Sequence, residues 1–148
     1  PVEFTNAVNL NGTALLYLTQ AAMPLLGRGS TIFFLSSRGG RIVVPNYAAI
    51  GVAKSLAESL MRYLATELAP HGIRVNSLAP GVVDTEAVHT LFGDSAEEIL
   101  RYAAESNPSG RGVQHADYTN MIRFLASPEA EFIQGQTIFI NGGANLSA

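Results

Sequence analysis

Cysteine is missing from the 148-residue sequence, which excludes disulfides and thiolate metal sites and fits a cytoplasmic location. Histidine is scarce. His71, His89 and His115 stand far apart, without metal-ligand spacing, so no metal site is expected. Charge is sparse as well: 14% of residues are charged, the nine Lys and Arg are scattered, and the formal net charge is −3. That distribution gives nucleic acid or an anionic membrane nothing to bind, and neither partner is expected. Long apolar runs are also lacking. Stretches such as Thr31–Leu35 are strand-sized, far short of the roughly 20 residues that span a bilayer. The opening Pro1-Val2-Glu3-Phe4 carries neither the basic and apolar regions of a signal peptide nor an initiator Met, so the start is expected to be a cut or a cleavage.

What remains is a chain that folds. Hydrophobic residues make up 47% of the sequence, and its length suits one domain. Repeats, low-complexity tracts and linkers are not seen. Residues 4–26 read as a helix, with Phe4, Val8, Leu15, Leu18, Ala22 and Leu25 recurring at helical spacing, interrupted near Asn11. Thr31–Leu35 reads as a strand covered on both faces. Pro45 and Asn46 lead into a helix over 46–69, stopped by Pro70 and Gly72. Strands are expected at 73–79 and 136–140, and a helix at 117–126. Between 82 and 109 the pattern loosens, with Asp94 and Ser95 placed to cap a helix through about 105. This alternation implies an α/β layer with a parallel sheet and right-handed crossovers. Three strands make a thin sheet with an exposed edge, so residues 1–148 are read as a single partial domain, half of a doubly wound, Rossmann-like fold.

The chemistry concentrates in Tyr47-Ala48-Ala49-Ile50-Gly51-Val52-Ala53-Lys54. Seven positions are two helical turns, which puts the Tyr and the Lys on one face. An ammonium beside a phenol favours the phenolate and eases proton donation. Taken alone, the pair is as well explained by a helix-starting Tyr and a snorkelling Lys. Two further motifs change the balance: Ile32-Phe33-Phe34-Leu35-Ser36-Ser37 upstream, and Asn76-Ser77-Leu78-Ala79-Pro80-Gly81-Val82-Val83-Asp84-Thr85 downstream.

In this order the motifs resemble the catalytic part of the short-chain dehydrogenase/reductase family. The Tyr-x6-Lys spacing, with Gly51 standing where the commoner Tyr-x3-Lys spacing would place the lysine, resembles its enoyl-acyl carrier protein reductase branch. Some enoyl reductases carry a second Tyr at the position of Ser37. This chain departs from them and looks closer to enoyl-acyl carrier protein reductase III. The resemblance implies that Tyr47 donates a proton or polarises the thioester carbonyl, and that Lys54 binds the nicotinamide ribose and stabilises negative charge. It gives Ser37 the substrate carbonyl, leaving Ser36 to shape the turn. Asn9, in Asn9-Leu10-Asn11-Gly12, would hold a water beside the lysine, with Asn11 an equal candidate on pattern. Pro80, Gly81, Val83 and Thr85 would contact the nicotinamide, although Thr85 could instead cap the next segment. Residues 86–107 would form the substrate loop, with Val88, Leu91, Phe92, Ile99, Leu100 and Tyr102 either covering an acyl chain or packing the loop down.

The implied cofactor is NADPH, with NADH possible, and the implied substrate is an acyl thioester of acyl carrier protein or coenzyme A. Carbonyl reduction on the same scaffold is the nearest rival. No strand and Gly-rich turn precede Asn9, so the chain as written is expected to bind nicotinamide weakly, and a binding or dimerisation module is a further rival. By analogy, helices 4–26 and 46–69 would pack across a homo-oligomer interface. Arg111 and Asp117 read as structural, the first tethering the loop and the second a carboxylate at a helix N-terminus.

Overall fold

The computed structural model describes residues 2–144 and 146. Three parallel strands, β1 (Thr31–Leu35), β2 (Arg74–Pro80) and β3 (Thr137–Ile140), form one sheet in the order β1-β2-β3. Leu35 stands beside Leu78, and Ser77 beside Thr137. Helices cover both faces. On one side Ile32, Phe34, Ile73 and Val75 pack against Leu15 and against Ala57, Met61, Leu64, Ala65 and Leu68 of the long central helix. On the other, Phe33, Leu78, Ile138 and Ile140 pack against Met121, Ile122 and Leu125. Alternate side chains of each strand thus point into opposite layers, which is why β1 reads as an unbroken apolar run.

The helix expected over 4–26 is present but not uniform. It runs as α1 (Val2–Val8), a π-turn (Asn9–Thr13) and α2 (Ala14–Ala22), then tightens into a 3₁₀ turn at Met23–Leu25. The wider turn is built from Asn9, Asn11, Gly12 and Thr13, all weak helix formers. Thr13 Oγ1 donates to the Asn9 carbonyl at 3.2 Å, and the Ala14 N–H also reaches that carbonyl, five residues back. Pro24 explains the far end, since proline cannot continue an α-helix. Of the six apolar positions in the periodic stripe only Leu15 is buried, while Phe4, Leu18 and Leu25 are exposed.

The central helix, α3 (Ala48–Leu68), begins two residues later than expected. Asn46 has a φ of 59° and Tyr47 takes the N-cap position, so neither is helical. At the other end a 3₁₀ turn and Gly72, with a φ of 71°, release the chain into β2. Residues 82–109 are more ordered than expected. Thr85 caps α4 (Glu86–Phe92) through a 3.4 Å bond from the Val88 N–H, and after a 3₁₀ turn at Gly93–Ser95 comes α5 (Ala96–Glu105). Ser95 makes no side-chain cap; the buried Ala96 fixes the start of α5 instead. The last helix, α6 (His115–Ala126), starts two residues early because the Asp117 carboxylate accepts the Gln114 N–H at 2.8 Å.

Arg111 and Asp117 are paired, a contact the sequence reading did not include. Two bonds of 2.7 and 2.8 Å join guanidinium to carboxylate, and Arg111 also donates to the Gly112 carbonyl at 2.9 Å. The guanidinium, followed by the Gln114 N–H, holds the Asp117 carboxyl down to about 2 from an ordinary value of 3.8. Because the folded value lies below the unfolded one, the pair's contribution is complete above about pH 4 and is lost as pH falls through 2. Arg111→Met is expected to raise the Asp117 pKa in a carboxyl-carbon NMR titration. It should stay below the free value, because the Gln114 N–H still donates. An unchanged pKa would contradict this account.

Candidate active site

The carboxyl ends of the three strands open on one edge, where parallel sheets bind ligands. β1 runs into Ser36 and Ser37 and then a 3₁₀ turn at Arg38–Gly40. β2 runs into Pro80 and Gly81, and the Gly81 N–H donates to the Ile140 carbonyl at 2.9 Å. A cleft at this edge is lined by Arg38, Pro80, Gly81 and Val82 from the sheet side, and by Ile99 and Tyr102 of α5 from the other. The segment expected to cover substrate therefore does face the strand ends.

Lys54 lies on α3 and reaches back to β1. Its Nζ donates to the Leu35 carbonyl at 2.9 Å and sits 4.8 Å from the centre of the Phe34 ring. Burial lowers its pKa from the ordinary lysine value. An ammonium has three donors, so two remain for other acceptors.

Tyr47 is half-buried and its ring packs on Gly39. A Cβ at Gly39 would stand 2.6 Å from Tyr47 Cδ1, and a Cβ at Gly51 would stand 2.7 Å from the Gly39 carbonyl. No side chain fits at position 51 without moving that turn. The shorter Tyr–Lys spacing is thus disfavoured here, since a lysine at position 51 would collide with the Gly39 backbone.

The turn uses the Ser37 hydroxyl rather than that of Ser36, which was expected to shape it. The Ser37 Oγ accepts the Gly39 N–H at 3.3 Å, which makes it the turn-forming hydroxyl. Ser36 is buried and donates to Glu58 Oε1 at 2.6 Å. The alternation of side chains along an extended strand sends the two hydroxyls to opposite sides. As an acceptor in the turn, Ser37 keeps its own O–H for an outside acceptor.

Other expected site residues are less gathered. Asn9 is exposed on the π-turn, and its side-chain oxygen accepts the Thr13 hydroxyl at 3.3 Å. Asn11 is more buried and donates to the Ala7 carbonyl at 3.2 Å. Thr85 caps α4, the alternative its position offered, and as an acceptor there it keeps its own O–H. Val83 is half-buried in the strand exit. Among the described residues, no cluster of three or more His, Asp or Glu side chains could hold a metal ion, and no helix is long and apolar enough to cross a membrane.

The sequence reading missed Glu58 and Arg41. Glu58 is 3% exposed on α3, and its Oε2 accepts Arg41 Nε at 2.9 Å. A carboxylate one turn beyond Lys54, among the small and apolar residues Ala53, Ala57, Met61 and Ala65, was the available signal.

A parallel sheet covered on both faces, with a Ser at one strand end, a Tyr at the N-cap of the next helix and a Lys on it, defines the C-terminal part of a short-chain dehydrogenase/reductase. Comparison with known proteins sharpens this. The family described as Enoyl-(Acyl carrier protein) reductase matches residues 1–145, and the chain belongs to that family. It is 36% identical over 143 residues to enoyl-[acyl-carrier-protein] reductase [NADH] FabI of Nostoc sp., covering 97% of this chain and 55% of that one. It is 35% identical over 148 residues to a tropinone reductase homolog of Arabidopsis thaliana, covering 98% and 53%. The crystal structure of the Bacillus cereus enoyl-acyl carrier protein reductase with NADP+ and indole naphthyridinone superposes with a TM-score of 0.90 at 32% identity, over 98% of this chain and 56% of that one. The chain therefore spans about half the length of the relatives it matches.

Proposed function

We propose that this chain is the catalytic part of an NAD(P)H-dependent oxidoreductase that reduces the carbon–carbon double bond of a trans-2-enoyl thioester carried on acyl carrier protein or coenzyme A. The observation that carries the reading is the assembly at the end of β1. Lys54 is bonded to Leu35, Ser37 turns its hydroxyl at Gly39, and the Tyr47 ring packs on Gly39.

The residues present fit a nicotinamide. At Gly81 a Cβ would come within 3.0 Å of Val113, so only a bare backbone leaves that strand exit open to a flat ring. Pro80, Gly81 and Val83 would hold the ring, and the two remaining donors of Lys54 would take a ribose hydroxyl and a water. When bound, the nicotinamide supplies the hydride. The protein does the rest with its own groups. Ser37 donates to the thioester oxygen and orients the carbonyl. Tyr47 donates its phenolic proton toward that oxygen as negative charge develops there, and the Lys54 ammonium lowers the cost of that charge. Related proteins are named or crystallised with NADH and with NADP+. NADPH is the cofactor proposed, with NADH the alternative. Exposed Leu10, Tyr17 and Leu18 on the first helical run, and Val52 and Tyr63 on α3, support a homo-oligomer that buries these helices.

Carbonyl reduction is the second reading. A serine rather than a tyrosine at position 37 favours it, as does the similarity to a tropinone reductase homolog. The test supplies crotonyl and acetoacetyl thioesters, each with NADPH, to the protein that carries this chain. Faster reduction of the crotonyl thioester is expected; preference for acetoacetyl would replace the first reading with the second.

A further inference from the structure

Glu58 has no part in the chemistry above, yet it is an almost fully buried carboxylate directly behind it. Its side chain is 4% exposed, and its two oxygens have different partners. Oε1 accepts the Ser36 hydroxyl at 2.6 Å, and Oε2 accepts Arg41 Nε at 2.9 Å. Those partners stand immediately before and after the stretch from Ser37 to Gly40, so one carboxylate grips both ends of the turn. Ser36 is further fixed by its N–H, which donates to the Leu78 carbonyl at 2.7 Å. Gly40 lies close beneath the same helix, where a Cβ would be 3.3 Å from both Glu58 Oε1 and the Lys54 side chain.

Lys54 and Glu58 are four residues apart and share a helical face. Lys54 holds the Leu35 carbonyl and Glu58 holds the Ser36 hydroxyl, so consecutive rungs from α3 fix consecutive residues of the strand end. The next residue is Ser37. A buried carboxylate is a poor way to gain stability, because desolvation offsets much of its attraction to the half-exposed Arg41. What it does supply is a defined geometry for two partners at once.

We infer that Glu58 is a positioning residue: by holding Ser36 and Arg41 together it sets the turn that presents Ser37 and seats the Tyr47 ring. This rests on the function proposed above, and the test separates the two. Glu58→Gln keeps the volume, but its carboxamide has no charge to hold Arg41 and can meet Ser36 only by reversing that bond, with the Ser36 hydroxyl accepting. Ser36→Ala removes one grip without touching the buried charge.

Hydrogen exchange is measured on both variants, comparing residues 36–42 with residues 74–80 of β2. In parallel, kcat and KM for crotonyl thioester reduction are measured for Glu58→Gln, Ser37→Ala and the double variant. Both single changes at the grip should speed exchange in 36–42 and leave 74–80 unchanged. Glu58→Gln should lower kcat by about 10- to 100-fold with little change in KM, the size expected when a reacting group is misplaced by about 1 Å. In the Ser37→Ala background that loss should become smaller, since one of the two groups being positioned is gone. Unchanged exchange at 36–42, or a uniform rise across both segments, overturns the inference, as does a kcat loss that simply multiplies with that of Ser37→Ala. If the unsubstituted protein reduces neither thioester, the enoyl reductase reading fails, while the exchange comparison still decides whether Glu58 sets the turn.

Discussion

Tyr47→Phe is expected to lower kcat for enoyl thioester reduction by about 10²- to 10⁴-fold, the range for a general acid in the transition state. The substitution removes one oxygen and its proton. The ring contact with Gly39 remains, so the turn after Ser37 and the start of α3 keep their support. KM and the denaturation midpoint should therefore stay close to those of the unsubstituted protein, which separates lost proton donation from lost structure. Full activity in this variant would remove Tyr47 from the mechanism, whichever thioester proves to be the substrate. A large rise in KM at unchanged kcat would instead make it a binding group.

Asn76→Ala is expected to cost about 1–3 kcal/mol of stability, because it removes the partner of two part-buried backbone groups. Asn76 has no exposed surface, although it sits in the middle of β2. Its Nδ2 donates to the Ile133 carbonyl at 2.9 Å, and its Oδ1 accepts the Gln136 N–H at 2.9 Å. One side chain thus satisfies both sides of the bend that delivers the chain into β3. Gln134 supports the same bend, accepting the Val75 N–H at 2.7 Å and donating to the Ala65 carbonyl at 2.9 Å. Urea denaturation with an unchanged slope and a lower midpoint would agree with a local loss of this kind. A cost below about 0.5 kcal/mol, the size of an ordinary surface substitution, would show that the bend does not depend on Asn76.

Asparagine is an unfavourable strand residue, and propensity alone argues against it at the centre of a sheet. Its neighbours Val75 and Leu78 carried the strand in the sequence, while the partners that make Asn76 useful lie 57 and 60 residues away. The same division runs through the site. Tyr47, Lys54 and the Ser36-Ser37 strand end are close in the chain, so their spacing exposes them. The parts of Ser36 and Ser37 depend on which hydroxyl meets Glu58, a partner 22 residues away from Ser36 that no local pattern connects to it. Thr85 shows the reverse case, a helix cap that its own neighbours in the sequence already offered.

The sequence by itself determined the alternation of strands and helices, the two-sided burial of β1 and the identity of the residues at the carboxyl edge. Periodicity and turn chemistry are written in neighbouring residues. Only the tertiary structure decided the π-turn at Asn9–Thr13, the short helix α4, the exposure of Leu18 and Leu25, and the clamp made by Glu58. Those features follow from contacts between segments distant in the chain, or from the choice among nearly equal local conformations. There, packing against α3 and the satisfaction of buried polar groups outweigh propensity differences of a few tenths of a kcal/mol.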